Sequence, residues 1–393
     1  MIIGITIGLT KEYESLWING IKLNALFLAN ALKKIGKHEI WILDTSDKVE
    51  DMTKVSWDYK EFPVKKFSKV YKEVDILITL GTSFPEETLK IFKDGGPNKR
   101  VVKYMCGNNY VVDMERSLFT DGKNSGRAAW DLGADEIWYV PQQEKQNHYY
   151  YETVFRTKAF PVPFVWDPMF LDRDVKYKLE NQKNAPLYKR GVENSKKRIS
   201  VFEPNLNVLK YAMYPILITE RILRESTEFD TLFIASGDRL LKNDYFKSMI
   251  TNLDIVKNNP PKIKFTSRYA VTHYLAESCE IVLSHQWDNP LNYAYLDCLY
   301  LNFPLVHNAP MVQDMGYYYP DFNAEIGAVQ LRKAIEEHDE NADAYNKNNH
   351  EKLKRYTIEN QKMIDIYDKL IENLYGANHE LSHNYDWKTN LYL

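Results

Sequence analysis

The chain alternates short apolar runs with stretches of helical period. Ile2–Ile7 is a nearly continuous apolar run and predicts a buried strand. Gly20–Ile35 predicts a helix with Leu23, Leu26, Phe27, Ala31 and Ile35 on one face, stopped by Gly36. Further strands are expected at Glu39–Leu43, Val74–Leu80, Arg100–Met105 and Glu136–Val140, and the Gly81-Thr82-Ser83 turn can cap a helix from Pro85. A second alternating set follows. Its strands are expected at Arg198–Phe202, Thr231–Ala235, Lys262–Phe265, Glu280–Ser284, Pro304–His307 and, briefly, near Ile326–Val329. Its helices are expected at Leu209–Arg224, Tyr269–Ser278, Leu291–Tyr300 and Leu331–Glu337. Ala342–Leu374 reads as one long helix, with an aromatic tail to Leu393.

Repeated βα units imply parallel sheets covered on both faces. Between the two sets, Phe160–Asp172 carries three prolines, and Arg173–Lys197 is charged and strand-free. The expected organisation is an N-terminal Rossmann-like domain over 1–168, a linker over 169–197 and a second Rossmann-like domain over 198–340. Residues 341–393 then return as a C-terminal helix and tail to the N-terminal domain. Such α/β domains facing each other across a cleft bind ligands at the carboxyl ends of their strands.

A length of 393 residues suits two domains of ordinary size, and 44% hydrophobic with 27% charged residues is a globular composition. The formal charge of -3 gives no general electrostatic case for nucleic acid or an anionic membrane. Cys106, Cys279 and Cys298 form neither a CxxC pair nor a disulfide framework, which fits a reducing compartment. No apolar run approaches the roughly 20 residues of a membrane span, and the start of the chain lacks a signal-peptide pattern, so a cytoplasmic location is expected. The 28 tyrosines, with many Asn and Lys residues, hint at an AT-rich bacterial or viral genome. No HExxH, paired-acid or CxxC metal pattern occurs, so no catalytic metal is expected. There is also no P-loop and no GxSxG.

The most informative stretch runs from Ser284-His285-Gln286-Trp287-Asp288-Asn289-Pro290-Leu291-Asn292 through Asp297 to Phe303-Pro304-Leu305-Val306. A strand ends at Ser284, and the Asn289-Pro290 turn is expected to open a helix. Free N–H groups and the positive end of the helix dipole there suit a diphosphate. Asp297, about two turns further on, suits a ribose diol.

This stretch resembles the donor signature of retaining GT-B glycosyltransferases, in which a Glu-Gly-Phe-Gly turn opens a helix, a second Glu follows eight positions after the first, and a Pro-Val strand comes next. Asp297 matches the second Glu, and Phe303–Val306 the strand. Asn289 holds the place of the first Glu, Asp288 is one residue early, and both turn glycines are missing. The wording around Ser284–Tyr293 is also similar to that of a smaller group of bacterial GT-B-like proteins. The resemblance implies an Arg at the end of the second domain's first strand and a Lys about one helical turn later. Lys210 matches the Lys. Glu203 and Pro204 stand where the Arg is expected, and Arg268 is the candidate second cation.

What the resemblance implies is a metal-independent, retaining hexosyl transfer from a nucleotide sugar such as a UDP- or GDP-sugar, with no other cofactor. Lys210, Asp288 and His285 are the candidate catalytic residues. Lys210, Arg268, Tyr269, Asn289, Pro290, Leu291, Asn292 and Asp297 would hold the donor. Gly8, Leu9, Asn108, Asn109 and Gln142 would line the acceptor side, Gly8 for its permissive backbone. His307 is a second strand-end histidine near the donor. The expected acceptor is a glycan. For a viral protein it is a modified DNA base, with the basic runs Lys123–Arg127 and Lys189–Lys197 along the phosphate backbone. A nucleotide-sugar epimerase of the same shape and a non-catalytic sugar-nucleotide binder are the alternatives.

Overall fold

A computed structural model of the chain describes all residues except Asn19, Asp47, 120–131, 192–195 and 377–393. The basic run Lys123–Arg127, part of the run Lys189–Lys197 and most of the aromatic tail lie outside the described residues. Internal contacts divide the chain into two units. One is Met1–Asp167 together with the residues from Lys354 onward, and the other is Pro168–Leu353.

Among its described residues the first unit contains seven parallel strands: β1 (Ile2–Ile7), β2 (Glu39–Asp44), β3 (Val64–Lys66), β4 (Ile76–Leu80), β5 (Arg100–Met105), β6 (Glu136–Tyr139) and β7 (Lys158–Pro161). Their order is β3-β2-β1-β4-β5-β6-β7. The interior strands read as apolar runs because both faces are covered; Ile3, Ile5 and Ile7 are all fully buried. The two outermost strands are the ones that hydrophobic patterning misses. Val64–Lys66 is short and ends in two lysines, while Lys158–Pro161 carries a proline that only an edge strand tolerates.

The second unit repeats the plan with β8 (Ile199–Val201), β9 (Leu232–Ile234), β10 (Ile263–Phe265), β11 (Ile281–Leu283), β12 (Leu305–His307) and β13 (Tyr317–Tyr318). The order is β10-β9-β8-β11-β12-β13, again all parallel. Ile199, Val201, Ile216, Ile222, Leu232, Ile234, Ile281 and Leu283 form its core with the helices that cover the sheet. The stretch read as a linker belongs to this unit and contains helix Met169–Glu180.

Two readings are corrected. The strand expected near Ile326–Val329 is the interior of helix Ala324–Glu336. The Asn323 side chain caps that helix by accepting from Ile326 N at 2.9 Å, and Gly327, Ala328, Leu331 and Ala334 are buried at helical spacing. The single helix over Ala342–Leu374 is two helices, His338–Leu353 and Gln361–Asn373, separated by a 3₁₀ turn at Lys354–Tyr356. Thr357 Oγ1 and Asn360 Nδ2 donate to the carbonyls of Lys354 and Arg355, and these side-chain bonds hold the break in place.

Helix Gln361–Asn373 packs within the first unit through Met363, Ile364, Ile366, Tyr367, Leu370 and Ile371. The Tyr367 hydroxyl donates to the Pro163 carbonyl at 2.6 Å, and its ring lies 6.3 Å from that of Trp138. Tyr367→Phe is expected to cost about 1–2 kcal/mol through the lost hydrogen bond. Tyr367→Ala is expected to cost about 3–5 kcal/mol through the cavity as well. Urea unfolding monitored by tryptophan fluorescence should rank wild type, Phe and Ala in that order.

Candidate functional site

The strand order of the second unit reverses between β8 and β11. Loops leaving the carboxyl ends of two such neighbours turn to opposite sides of the sheet and leave a crevice, the usual ligand position in this architecture. The loop after β8 runs Glu203-Pro204-Asn205 to Lys210, and the loop after β11 runs Ser284 to Asn292. They are joined: Lys210 and Gln286 form an antiparallel bridge, and Trp287 N donates to Leu209 O at 3.0 Å. Asn205, left-handed at φ 53°, shapes the first loop by donating to Glu203 O and Ala235 O and accepting from Ala212 N. That loop occupies Leu209–Ala212, so the following helix starts at Met213 rather than at Leu209.

Beneath the joined loops lies Glu203, buried at 3% exposure. Ser284 Oγ donates to one carboxylate oxygen, and Gln286 Nε2 donates to the other at 3.3 Å. The Ser284 hydroxyl also meets Tyr295 OH at 2.8 Å. Asn308 grips the backbone of Gln286 from β12, accepting from its N–H and donating to its carbonyl, both at 2.9 Å. Burial raises the Glu203 carboxyl from 4.5 to about 7, against the opposing pull of Ser284, Lys210 and Gln286. For Lys210 burial pushes the ammonium down, the charge of Glu203 pushes it back up, and that of Arg268 lowers it again. Lys210, Glu203 and Arg268 therefore share one electrostatic neighbourhood. Sequence patterning showed Glu203 only as the acid standing where an arginine was expected.

The helix after β11 opens later than the Asn-Pro turn implied. It spans Tyr293–Tyr300, and its cap is Asn292, whose side chain accepts from Ala294 N at 3.4 Å. Asn289 is instead buried and donates through Nδ2 to Gln286 Oε1. Pro290 and Leu291 precede the cap, and Leu291 is buried. Of the expected diphosphate-contacting residues Asn289–Asn292, only Asn292 stands at the helix terminus. Asp288 is half-buried and left-handed, with φ 45°. Asp297 is the fifth residue of the helix and is buried at 5% exposure. After β10, Arg268 and Tyr269 are exposed, and the Tyr269 ring lies 5.5 Å from that of His273 and 5.7 Å from that of Tyr274.

Both strand-end histidines are held neutral. His285 is stacked on Tyr214 at 4.3 Å and lies 4.7 Å from Phe322. Tyr319 OH donates to Ser284 O, so it accepts from His285 Nδ1, which leaves the buried Nε2 as an acceptor with no partner among the described residues. Burial lowers His285 to about 4. His307 accepts from Ala309 N at Nδ1 and donates from Nε2 to Met315 O, and burial lowers it to about 4 as well. His307 is thereby fully engaged within the unit.

In the first unit the expected acceptor-side residues follow the carboxyl ends of β1, β5 and β6. Leu9 is buried, and its N–H donates to Asp44 at 3.1 Å. Gly8 has no steric need to be glycine, since a Cβ there meets only Thr82 Oγ1 at 3.9 Å. The glycine that geometry demands is Gly81 at the end of β4, with φ 67° and a Cβ position that collides with Ile21. Asn108 caps helix Asn109–Phe119, accepting from Val111 N at 3.2 Å and from Asn147 Nδ2 at 2.9 Å. Asn109 accepts from Tyr151 OH at 3.2 Å, and Gln142 is buried in the turn Pro141–Gln143. Neither asparagine is left-handed. Among the described residues no group of three or more His, Cys, Asp and Glu residues is placed to hold a metal ion, and no helix is long and apolar enough to cross a membrane.

A family model described as "Protein of unknown function (DUF2827)" matches residues 3–371. The chain belongs to that family. No curated protein matches the sequence. Among solved structures, a UDP-forming α,α-trehalose-phosphate synthase from Burkholderia xenovorans aligns with a TM-score of 0.56 at 10% identity, covering 96% of this chain and 99% of the other. The N-terminal domain of trehalose-6-phosphate phosphatase from Candida albicans aligns at 0.56 with 12% identity, covering 95% and 98%. Sucrose-phosphate synthase from Thermosynechococcus elongatus aligns at 0.51 with 11% identity, covering 96% and 100%. At these identities the likeness is one of fold. This DUF2827 protein has the two-sheet α/β fold of GT-B glycosyltransferases.

The buried carboxyl has a consequence for stability. Folded Glu203 keeps its proton up to about pH 7, whereas the unfolded chain releases it near 4.5. Its stabilising contribution is thus complete below pH 4.5 and is lost as pH rises to 7, a change of about 3 kcal/mol. Glu203→Gln should flatten the fall in melting temperature between pH 5 and 8, measured by differential scanning calorimetry. Parallel wild-type and variant curves would show that the carboxyl does not titrate there.

Proposed function

We propose that this DUF2827 protein is a glycosyltransferase that takes a hexosyl group from a nucleoside-diphosphate sugar and passes it, with retained anomeric configuration, to a glycan acceptor. The observation that carries the reading is that Lys210 and the Asn292 helix start follow the carboxyl ends of β8 and β11, the strands at the order reversal, with Arg268 in electrostatic range of Lys210. Two cations and a helix N-terminus suit a diphosphate, whose negative charge grows as the glycosidic bond breaks. Asp297 supplies a carboxylate for the ribose diol, and exposed Tyr269 supplies a face for the base. Glycosyltransferase structures of the same fold support the reading, and the trehalose-phosphate synthase is described as UDP-forming.

In this reading the departing phosphate takes the acceptor proton on the same face of the sugar. That suits a site whose two histidines are held neutral at about 4 and are weak bases at physiological pH. Loops after β1, β5 and β6 are assigned to the acceptor.

A panel of nucleotide sugars, scored by released nucleoside diphosphate, tests the proposal. Lys210→Ala should lower kcat/KM by about 10²–10³-fold, as loss of a charge-stabilising donor does. Asp297→Ala should raise KM about tenfold with a smaller effect on kcat. Wild-type turnover in Lys210→Ala would remove the assignment, and a product of inverted configuration by NMR would remove the retaining mechanism.

A further inference from the structure

Glu203 is a carboxylate buried beneath the loops assigned to the diphosphate, and its hydrogen bonds are made in either protonation state. Ionised, it accepts from Ser284 Oγ and Gln286 Nε2. Protonated, it donates to Ser284 Oγ, whose own hydrogen then turns to Tyr295 OH, 2.8 Å away. The chain Glu203–Ser284–Tyr295 keeps both of its hydrogen bonds by reversing direction, and the hydrogen left without an acceptor is then that of the neutral Tyr295 hydroxyl rather than a charge on the carboxyl.

The groups facing Glu203 from each surrounding element are few. Lys210 comes from its own loop, the His285 backbone with Ser284 and Gln286 from the loop after β11, Tyr295 from helix Tyr293–Tyr300, and Tyr319 from beyond β13. Arg268 acts on Lys210 from the loop after β10. Burial and the charge of Glu203 raise both phenols well above the range of physiological pH, so they stay neutral. Among the described residues Lys210 is then the cation that faces Glu203, and a diphosphate competes with the carboxylate for it.

We infer that Glu203 takes up one proton from solvent when a nucleoside diphosphate binds, which frees the charge of Lys210 for the phosphates. This rests on the donor-site reading above. The site thereby couples nucleotide affinity to pH through a carboxyl that touches no phosphate itself. Burial already holds that carboxyl near neutrality, at about 7, so a modest added repulsion completes the protonation.

The test is isothermal titration of the full-length protein with UDP, GDP and ADP at pH 7.5, in PIPES and in Tris. These buffers differ in ionisation enthalpy and so report protons exchanged. Wild type should take up about three-quarters of a proton per nucleotide at this pH, the fraction of Glu203 that is ionised before binding, and its affinity should fall with a slope approaching tenfold per pH unit above it. Glu203→Gln should take up none and bind more tightly than wild type at pH 8.5. Lys210→Arg, whose guanidinium does not titrate, should still take up the proton, which separates Glu203 from Lys210 as its destination. Uptake that persists in Glu203→Gln, or binding without uptake in wild type, overturns the inference and leaves the donor site standing. If Glu203→Gln does not fold, the wild-type and Lys210→Arg proton counts decide. Absence of binding by all three nucleotides between pH 6 and 8.5 overturns the donor site and the inference together.

Discussion

Burying a carboxyl group is costly unless its oxygens are met by donors, and Glu203 turns that constraint into architecture. To satisfy it, the loop after β11 presents Ser284 and Gln286 inward. Gln286 is in turn fixed by Asn289 at its side chain and by Asn308 at its backbone. The bridge between Lys210 and Gln286 then sets the position of the lysine. Neighbouring strands β8 and β11 supply only parallel rails; the polar network below the loops decides how their ends meet. That network specifies one arrangement where hydrophobic packing alone tolerates several.

Much of the fold was legible in the chain. Ile2–Ile7, Arg100–Met105 and helix Gly20–Ile35 lie where patterning placed them, because a buried parallel strand and a helix with an apolar face each leave a periodic trace. The first five strands expected in the second unit are present, each a residue shorter at one or both ends. Failures concentrate where local pattern carries least information. The edge strands are short or carry a proline, and the Asn323 cap turns an apolar run that reads as a strand into a helix.

The candidate site was legible as a set of residue types and less so as a geometry. Lys210 and Arg268 are electrostatic neighbours, although 58 positions of numbering separate them. The true helix start at Asn292 was obscured because Asn289-Pro290 is also a good opening signal, and in the structure the Asn289 side chain is turned to Gln286. Glu203 meets Ser284 across 81 residues of sequence, a pairing set by adjacent strands that no local spacing encodes. A charged residue directly after a buried strand was the one available clue.

The division of the chain has a bearing on how the protein is made. Pro168–Leu353 is inserted within the other unit, whose last described helix, Gln361–Asn373, covers apolar surface with Tyr367 and its neighbours. On the ribosome the inserted unit is translated whole before that helix is. The first-made half must therefore wait with an uncovered apolar face while the second-made half completes its core. Nascent chains halted short of residue 361 carry a sticky, unfinished surface, and adding Gln361–Asn373 closes it.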